Sequence, residues 1–254
     1  MDVLQRIVRR ADLVLVMEIR DSSAYSDLSI VKLQNLANTY VAPYSYSLVL
    51  SDRLGQSTSK EQYAFLYRAD IFEVVDAFLY PDLDDIFQRE PYVVLFKLKN
   101  ESTTFFVIPC HTEPGNRTEI DALQTVYNYT VGRYGSTTPG FITGDLNVDC
   151  TYVSVAQMAN LALKKDLRLT WLIDDTVDTT TGTTDCAYDR FIVNTLILQM
   201  WNSSSFTGPF NFALAYGLNS TFTLDVSDHY PIEITFNVKG IYHTDGTLHL
   251  SAHL

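Results

Sequence analysis

Long apolar runs are missing from this chain of 254 residues, and no stretch approaches the ~20 consecutive apolar residues that cross a bilayer as a helix. Glycine and proline are sparse, at 11 and 8 residues, which excludes collagen-like and low-complexity architectures. Basic residues are outnumbered 18 to 30 by acidic ones, for a formal charge of −12. Such a balance argues against general attraction to DNA or to acidic membranes, although bound divalent cations and a few arginines can still create a local positive site. Three cysteines allow one disulfide and leave an odd thiol. Cys150 and Cys186 stand in polar, loop-like segments and form the plausible pair, whereas Cys110 ends an apolar run and reads as a buried free thiol.

What the chain has in quantity is β-forming residues. It carries 16 tyrosines and 14 phenylalanines among frequent β-branched runs, and 46% of its residues are hydrophobic, which favours a sheet-rich core. Strands are expected at Ala11–Met17, Tyr46–Leu50, Tyr63–Tyr67, Phe72–Phe78, Tyr92–Leu98 and Phe105–Pro109. Further apolar runs stand at Gly140–Thr143, Trp171–Ile173, Phe191–Val193 and Ile232–Phe236. Helices are expected at Leu4–Arg10, Ile30–Leu36 and Arg117–Tyr134, the last with Ile120, Leu123, Tyr127 and Val131 on one face. Strands interspersed with few helices imply two packed sheets with helices outside, over a core including Leu13, Leu15, Phe65, Val94, Phe106, Ile108, Phe141, Ile173, Ile192 and Ile234. Residues 1–240 read as one domain. Residues 241–254 read as a polar, solvated tail, in which the Asp245-Gly246 turn leaves His249 and His253, without His243, as the only histidine pair.

The histidines are more telling. Of five, only His111 and His229 precede residue 240, and each sits where an apolar strand meets a loop. Imidazole is the side chain best suited to proton exchange near neutral pH. Four acidic positions also lie beside apolar runs: Glu18 in Met17-Glu-Ile-Arg-Asp21, Asp145 in Gly144-Asp-Leu-Asn147, Asp189 in Ala187-Tyr-Asp-Arg190, and Asp228 next to His229. Asp145 and Asn147, two residues apart in an extended segment, share a face, and Gly144 permits close backbone approach. Carboxylates that ligate a hard cation, with imidazoles oriented by others, are what a Mg²⁺-dependent hydrolase requires.

These blocks carry a resemblance. Glu18-Ile-Arg-Asp-Ser, Lys60-Glu-Gln-Tyr63, Arg89-Glu-Pro91, Pro109-Cys-His111, Gly144-Asp-Leu-Asn147, Cys186-Ala-Tyr-Asp-Arg190 and Ser227-Asp-His-Tyr-Pro231 resemble, in order, the blocks of the deoxyribonuclease I family. Asp174–Arg190 and Pro209–Leu218 are the stretches most specific to the nuclease branch, and the likeness spans about residues 4–238.

The resemblance implies a four-layer α/β sandwich that nicks double-stranded DNA from the minor groove. It implies that Glu18 and Asp228 hold Mg²⁺, and that Asp145 and Asn147 orient the scissile phosphate and the attacking water. Glu61 would orient His111 and Asp189 would orient His229, the two imidazoles serving as base, acid or phosphate donor with the direction unassigned. Arg20, Arg89 and Tyr152 match DNA-contacting positions. Asp149, Asp178, Thr180, Gly182 and Thr184 match a structural Ca²⁺ site, Gly182 through its carbonyl. Cys150 and Cys186 match the family's larger loop disulfide.

Departures from the pattern set further expectations. Ser59 replaces a tyrosine that packs on deoxyribose, so weaker groove binding is expected, and Leu48–Leu50 departs from the actin-contacting pattern, so no tight actin binding is expected; the chain is expected to be a monomer. The family begins with a strand bearing a Phe-Asn pair ahead of the first helix, whereas this sequence starts at that helix with no apolar signal region. A sheet lacking one core strand, and a metal site lacking an amide, are therefore expected. Five sequons, at Asn100, Asn116, Asn128, Asn202 and Asn219, together with a disulfide read as secretory. Two other functions remain open: a weak or inactive nuclease-fold binding protein, and another phosphodiesterase or phosphatase of the same superfamily.

Overall fold

Among the described residues, twelve strands, some alternating and some buried throughout, assemble into two six-stranded mixed sheets. The computed structural model describes all residues except 41–44, 100, 201, 238–246 and 253–254. His243, His253 and the Asn100 sequon lie outside the described residues. The first sheet joins β1 (Leu13–Val16), β2 (Tyr46–Leu50), β3 (Ala64–Arg68), β10 (Asn202–Pro209), β11 (Ile232–Asn237) and β12 (Thr247–Ala252) in the order β10-β11-β12-β1-β3-β2. The second joins β4 (Phe72–Leu79), β5 (Tyr92–Leu98), β6 (Thr104–Pro109), β7 (Gly140–Asp145), β8 (Leu169–Trp171) and β9 (Asp189–Asn194) in the order β4-β5-β6-β7-β9-β8.

The two sheets face each other across one apolar core that includes Leu15, Phe65, Phe96, Phe105, Phe141, Phe191 and Ile234. Helices α1 (Asp2–Val8) and α2 (Ser29–Thr39) accompany a second apolar cluster, which holds Val8, Val14, Leu33 and Leu66 on the outer side of the first sheet. Helix α3 (Arg117–Tyr134) and the short α4 (Val155–Met158) and α5 (Ala162–Lys165) cover the second sheet through Ile120, Leu123, Met158 and Leu163. The result is the expected four-layer sandwich. All ten residues expected in the core are buried, with Phe106, Ile108 and Ile192 under α3 rather than between the sheets. The periodic face of α3 is satisfied at its start by Asn116, whose side chain accepts the Glu119 N–H.

Two expectations fail. The segment read as a solvated tail contributes β12, which lies parallel to β1 and antiparallel to β11 inside the first sheet. Its Leu250 and Ala252 belong to the core between the sheets. Alternation in Thr247-Leu-His-Leu-Ser-Ala252 is a strand pattern, and hydrogen bonds on both edges outweigh the strand's modest hydropathy. The same finding corrects the expected gap, because β1 is paired on both sides, by β3 and β12. His249 is held within this sheet: its N–H donates to Asp12 Oδ2 at 2.9 Å, and its Nδ1 lies 3.3 Å from Thr235 Oγ1.

Candidate active site

The strand ends of both sheets deliver the chemistry to one open cavity of about 300 Å³. Glu18 follows β1, His111 follows β6, Asp145 closes β7, and His229 precedes β11. Glu18, His111, Asp145, Asn147, Asp228 and His229 line the cavity, with Tyr152, Tyr188 and the Thr180, Gly182 and Thr184 loop along its side. Backbone conformation marks the same place. Among the described residues, three of the four non-glycine residues with left-handed φ are Glu18 (55°), Asn147 (47°) and Cys150 (53°), a clustering characteristic of functional sites. Gly144 has φ 135°, and a Cβ there would sit 2.1 Å from the Cys110 carbonyl oxygen, so only glycine lets β7 approach the His111 segment this closely.

Each histidine is oriented from behind by a buried carboxylate. His111 Nδ1 lies 2.8 Å from Glu61 Oε2, and His229 Nδ1 lies 2.7 Å from Asp189 Oδ2. Both Nε2 atoms therefore turn toward Asp145, at 3.9 Å and 4.0 Å from the same oxygen, Oδ2. Those gaps exceed a direct hydrogen bond and suit a water or phosphate oxygen placed between. Asp145 is itself fixed: Asn147 donates its N–H to Oδ1 at 2.8 Å and its Nδ2 to Oδ2 at 2.9 Å, while the same Nδ2 donates to the Thr112 carbonyl.

Electrostatics separate the two dyads. Burial would raise the Glu61 pKa, but the His111 hydrogen bond and charge, with Arg89 and Arg20, bring it down to about 2. Burial would lower the His229 pKa, but Asp189, Asp145 and Asp228 raise it to about 10 in the metal-free protein. Arg89 and Arg20, expected to meet DNA, are tied to Glu61: Arg89 Nη2 donates to Oε1 at 3.0 Å, and Arg20 Nε at 3.3 Å. Neither lines the cavity, although Arg20 remains largely exposed. Tyr152 does line it, stacked on Tyr188 with centroids 5.3 Å apart.

The donor set fits a hard divalent ion. Glu18 and Asp228 present carboxylates to a cavity also faced by Asp145, and a phosphate would meet uncompensated negative charge there without a cation. Among the described residues no three acidic, histidine or cysteine side chains form a compact metal cluster.

Of the five residues expected to hold Ca²⁺, three gather. Thr180 Oγ1 donates to Asp178 Oδ1 and lies 2.9 Å from Thr184 Oγ1, with the Thr184 carbonyl at 2.8 Å. Gly182 lies on the exposed turn between them, and Asp149 instead accepts the Ala187 N–H at 2.7 Å. Cys150 and Cys186 are bonded, joining the Asp149 and Asp178 loops, and Cys110 is a buried thiol whose pKa burial pushes up, so it is not a nucleophile.

Two further residues support the site, neither of them given a role from sequence. Tyr63 Oη accepts the His111 N–H at 2.9 Å. Glu119, fully buried in the first turn of α3, accepts the N–H groups of Gln88 and Glu113 and so holds the Arg89 loop beside the His111 loop.

Two sheets, two carboxylate–histidine dyads and a shared acidic centre define a hydrolase-type site, and the chain belongs to the endonuclease/exonuclease/phosphatase family, whose model matches residues 1–229. Within it the chain falls in the deoxyribonuclease I branch. It is 38% identical over 236 residues to mouse deoxyribonuclease-1-like 2, covering 92% of this chain and 83% of the relative. It is also 38% identical to rabbit deoxyribonuclease-1, covering 91% of this chain and 83% of the relative. Among solved structures, an endonuclease/exonuclease/phosphatase from Bacteroides vulgatus shares the fold with a TM-score of 0.61 at 16% identity, over 94% of this chain and 89% of that one.

Proposed function

We propose that this protein is a divalent-metal-dependent endonuclease that hydrolyses phosphodiester bonds of double-stranded DNA. The observation that carries the reading is the convergence of His111 and His229, each backed by a carboxylate, on Asp145. A carboxylate on Nδ1 fixes the tautomer and leaves Nε2 to take or give a proton at the reaction centre. Asp145 and Asn147, bonded to each other, orient the attacking water and the phosphate. Glu18 and Asp228 would hold Mg²⁺, which would supply charge neutralisation and Lewis-acid polarisation at the phosphate. Arg20 and Tyr152 would serve as backbone and groove contacts, while Arg89 braces Glu61. Ca²⁺ at the Asp178, Thr180 and Thr184 oxygens would order the neighbouring loop.

The bonded Cys150–Cys186 pair supports an oxidising, secretory setting, and we expect a monomer without tight actin binding. A supercoiled-plasmid nicking assay with Mg²⁺ and Ca²⁺, and again with EDTA, tests the reading. Metal-dependent conversion to open circles is expected. Absence of cleavage with intact DNA binding would instead identify a binding protein of this fold. Preference for lipid or sugar phosphodiesters would identify another phosphodiesterase of the family.

A further inference from the structure

Thr179 sits between Asp178 and Thr180 and hydrogen-bonds to Asp189 and to Tyr230, the residue after His229. Thr179 is completely buried. Its Oγ1 accepts the N–H groups of Tyr188 at 3.1 Å and Asp189 at 3.2 Å, and donates to the Cys186 carbonyl at 3.2 Å. One donor and two acceptor sites exhaust what a hydroxyl offers. Its backbone N–H donates to the Cys186 carbonyl at 2.9 Å, and its own carbonyl accepts the Tyr230 N–H at 2.8 Å. The next two residues extend these links. Thr180 forms a β-bridge with His229, and Thr181 donates its N–H to the Asp228 carbonyl and its hydroxyl to the Ser227 carbonyl.

We propose that Thr179 is a positioning residue for the Asp189–His229 dyad. Its side chain fixes the backbone from which Asp189 projects, and its main chain fixes the loop from which His229 projects. Because both anchors belong to one buried residue, the 2.7 Å Asp189–His229 contact depends on Thr179 rather than on either loop alone. The segment also links that dyad to the Asp178, Thr180 and Thr184 oxygen cluster, so order in the cluster is transmitted to His229. This inference rests on the nuclease reading for its kinetic consequence and not for its geometric one.

The experiment compares Thr179→Val, which keeps shape and removes the hydroxyl, with Thr179→Ser, which keeps the hydroxyl. Plasmid nicking gives kcat and KM, and proton NMR of the metal-free protein follows the low-field imidazole N–H resonance that is lost in His229→Gln. For Thr179→Val a fall in kcat of about 10–100-fold with unchanged KM is expected, the scale found when an imidazole's supporting partner is disturbed. Its low-field resonance should broaden or vanish, while Thr179→Ser keeps the resonance and most of kcat. If the valine variant does not fold, Thr179→Ala takes its place. Wild-type kcat and an intact resonance in the hydroxyl-free variant would overturn the proposal, as would equal losses in the serine variant. A wild type that fails to cleave DNA refutes the nuclease reading, and the NMR comparison still decides the role of Thr179.

Discussion

His229 places its Nδ1 2.7 Å from Oδ2 of Asp189, a carboxylate with no solvent exposure at all. A buried anion of this kind is costly unless paired, so the dyad couples catalytic geometry to protonation. The folded pKa of His229, about 10, stands above its unfolded value near 6.5. The protonated imidazole therefore contributes stability fully below about pH 6.5, and that contribution is lost as pH rises through about 10. In EDTA, urea unfolding at pH 6, 8 and 10 should show the advantage of wild type over His229→Gln shrinking stepwise. A difference that stays constant with pH would contradict the pairing.

Both imidazoles turn Nε2 toward Asp145, the geometry on which the proposed proton transfer rests. His111→Ala and His229→Ala should each lower nicking by about 10²–10⁴-fold while melting cooperatively. The double variant should be little worse than the weaker single one, because residues acting as a unit are non-additive. Multiplicative losses in plasmid assays would show two independent centres.

Glu61 titrates in the opposite sense. Its folded pKa, about 2, lies below the usual carboxylate value, so its contribution is present above about pH 4.5 and fades as pH falls toward 2. Glu61→Gln should be less stable than wild type at neutral pH and converge with it in acid. The same variant frees Arg89 and Arg20 from their shared partner, so nicking should fall at every pH.

Local pattern made much of the scaffold readable. The ranges expected for α3, β2 and β5 coincide with those observed, since each combines one clear periodicity with flanking turn residues. Periodicity cannot report contacts across 40 or 50 residues. The Asp189–His229 and Glu61–His111 pairings were legible only through the family resemblance. Thr179 was illegible altogether, because a threonine inside a polar run looks like any solvated loop residue until burial and partners are known. Glu119 was hidden by a different ambiguity, since an acid in the first turn of a helix ordinarily serves the dipole.

The Cys150–Cys186 bond closes 36 residues of chain and ties the Asp149 loop to the segment leading into Asp189. A Cys150→Ser, Cys186→Ser variant should lose about 2–4 kcal/mol of stability. Limited proteolysis should then cut within Asp174–Asp185, faster without Ca²⁺. Mass spectrometry finding both thiols free in the oxidised wild type, or equal cleavage of both forms, would refute the role assigned to the bond.

The decisive scaffold element is the one whose sequence looked dispensable. Strand β12 pairs in parallel with β1, which leads to Glu18, and in antiparallel with β11, which follows His229. Leu250 stands opposite Leu13 on one side and Ile234 on the other, almost fully buried in the core between the sheets. Leu250→Ala should therefore cost about 2–5 kcal/mol, as deletion of a large buried side chain does. Deleting residues 247–254 should abolish cooperative unfolding, because it strips hydrogen-bond partners from two central strands at once. A strand grafted ahead of Met1 would find both edges of β1 already paired, by β3 and β12, so melting temperature should not rise while β12 is present. It should rise when the graft is combined with the deletion. A truncated protein that melts like wild type would show that β12 contributes nothing to the sheet, and that β1 and β11 are stabilised by other means.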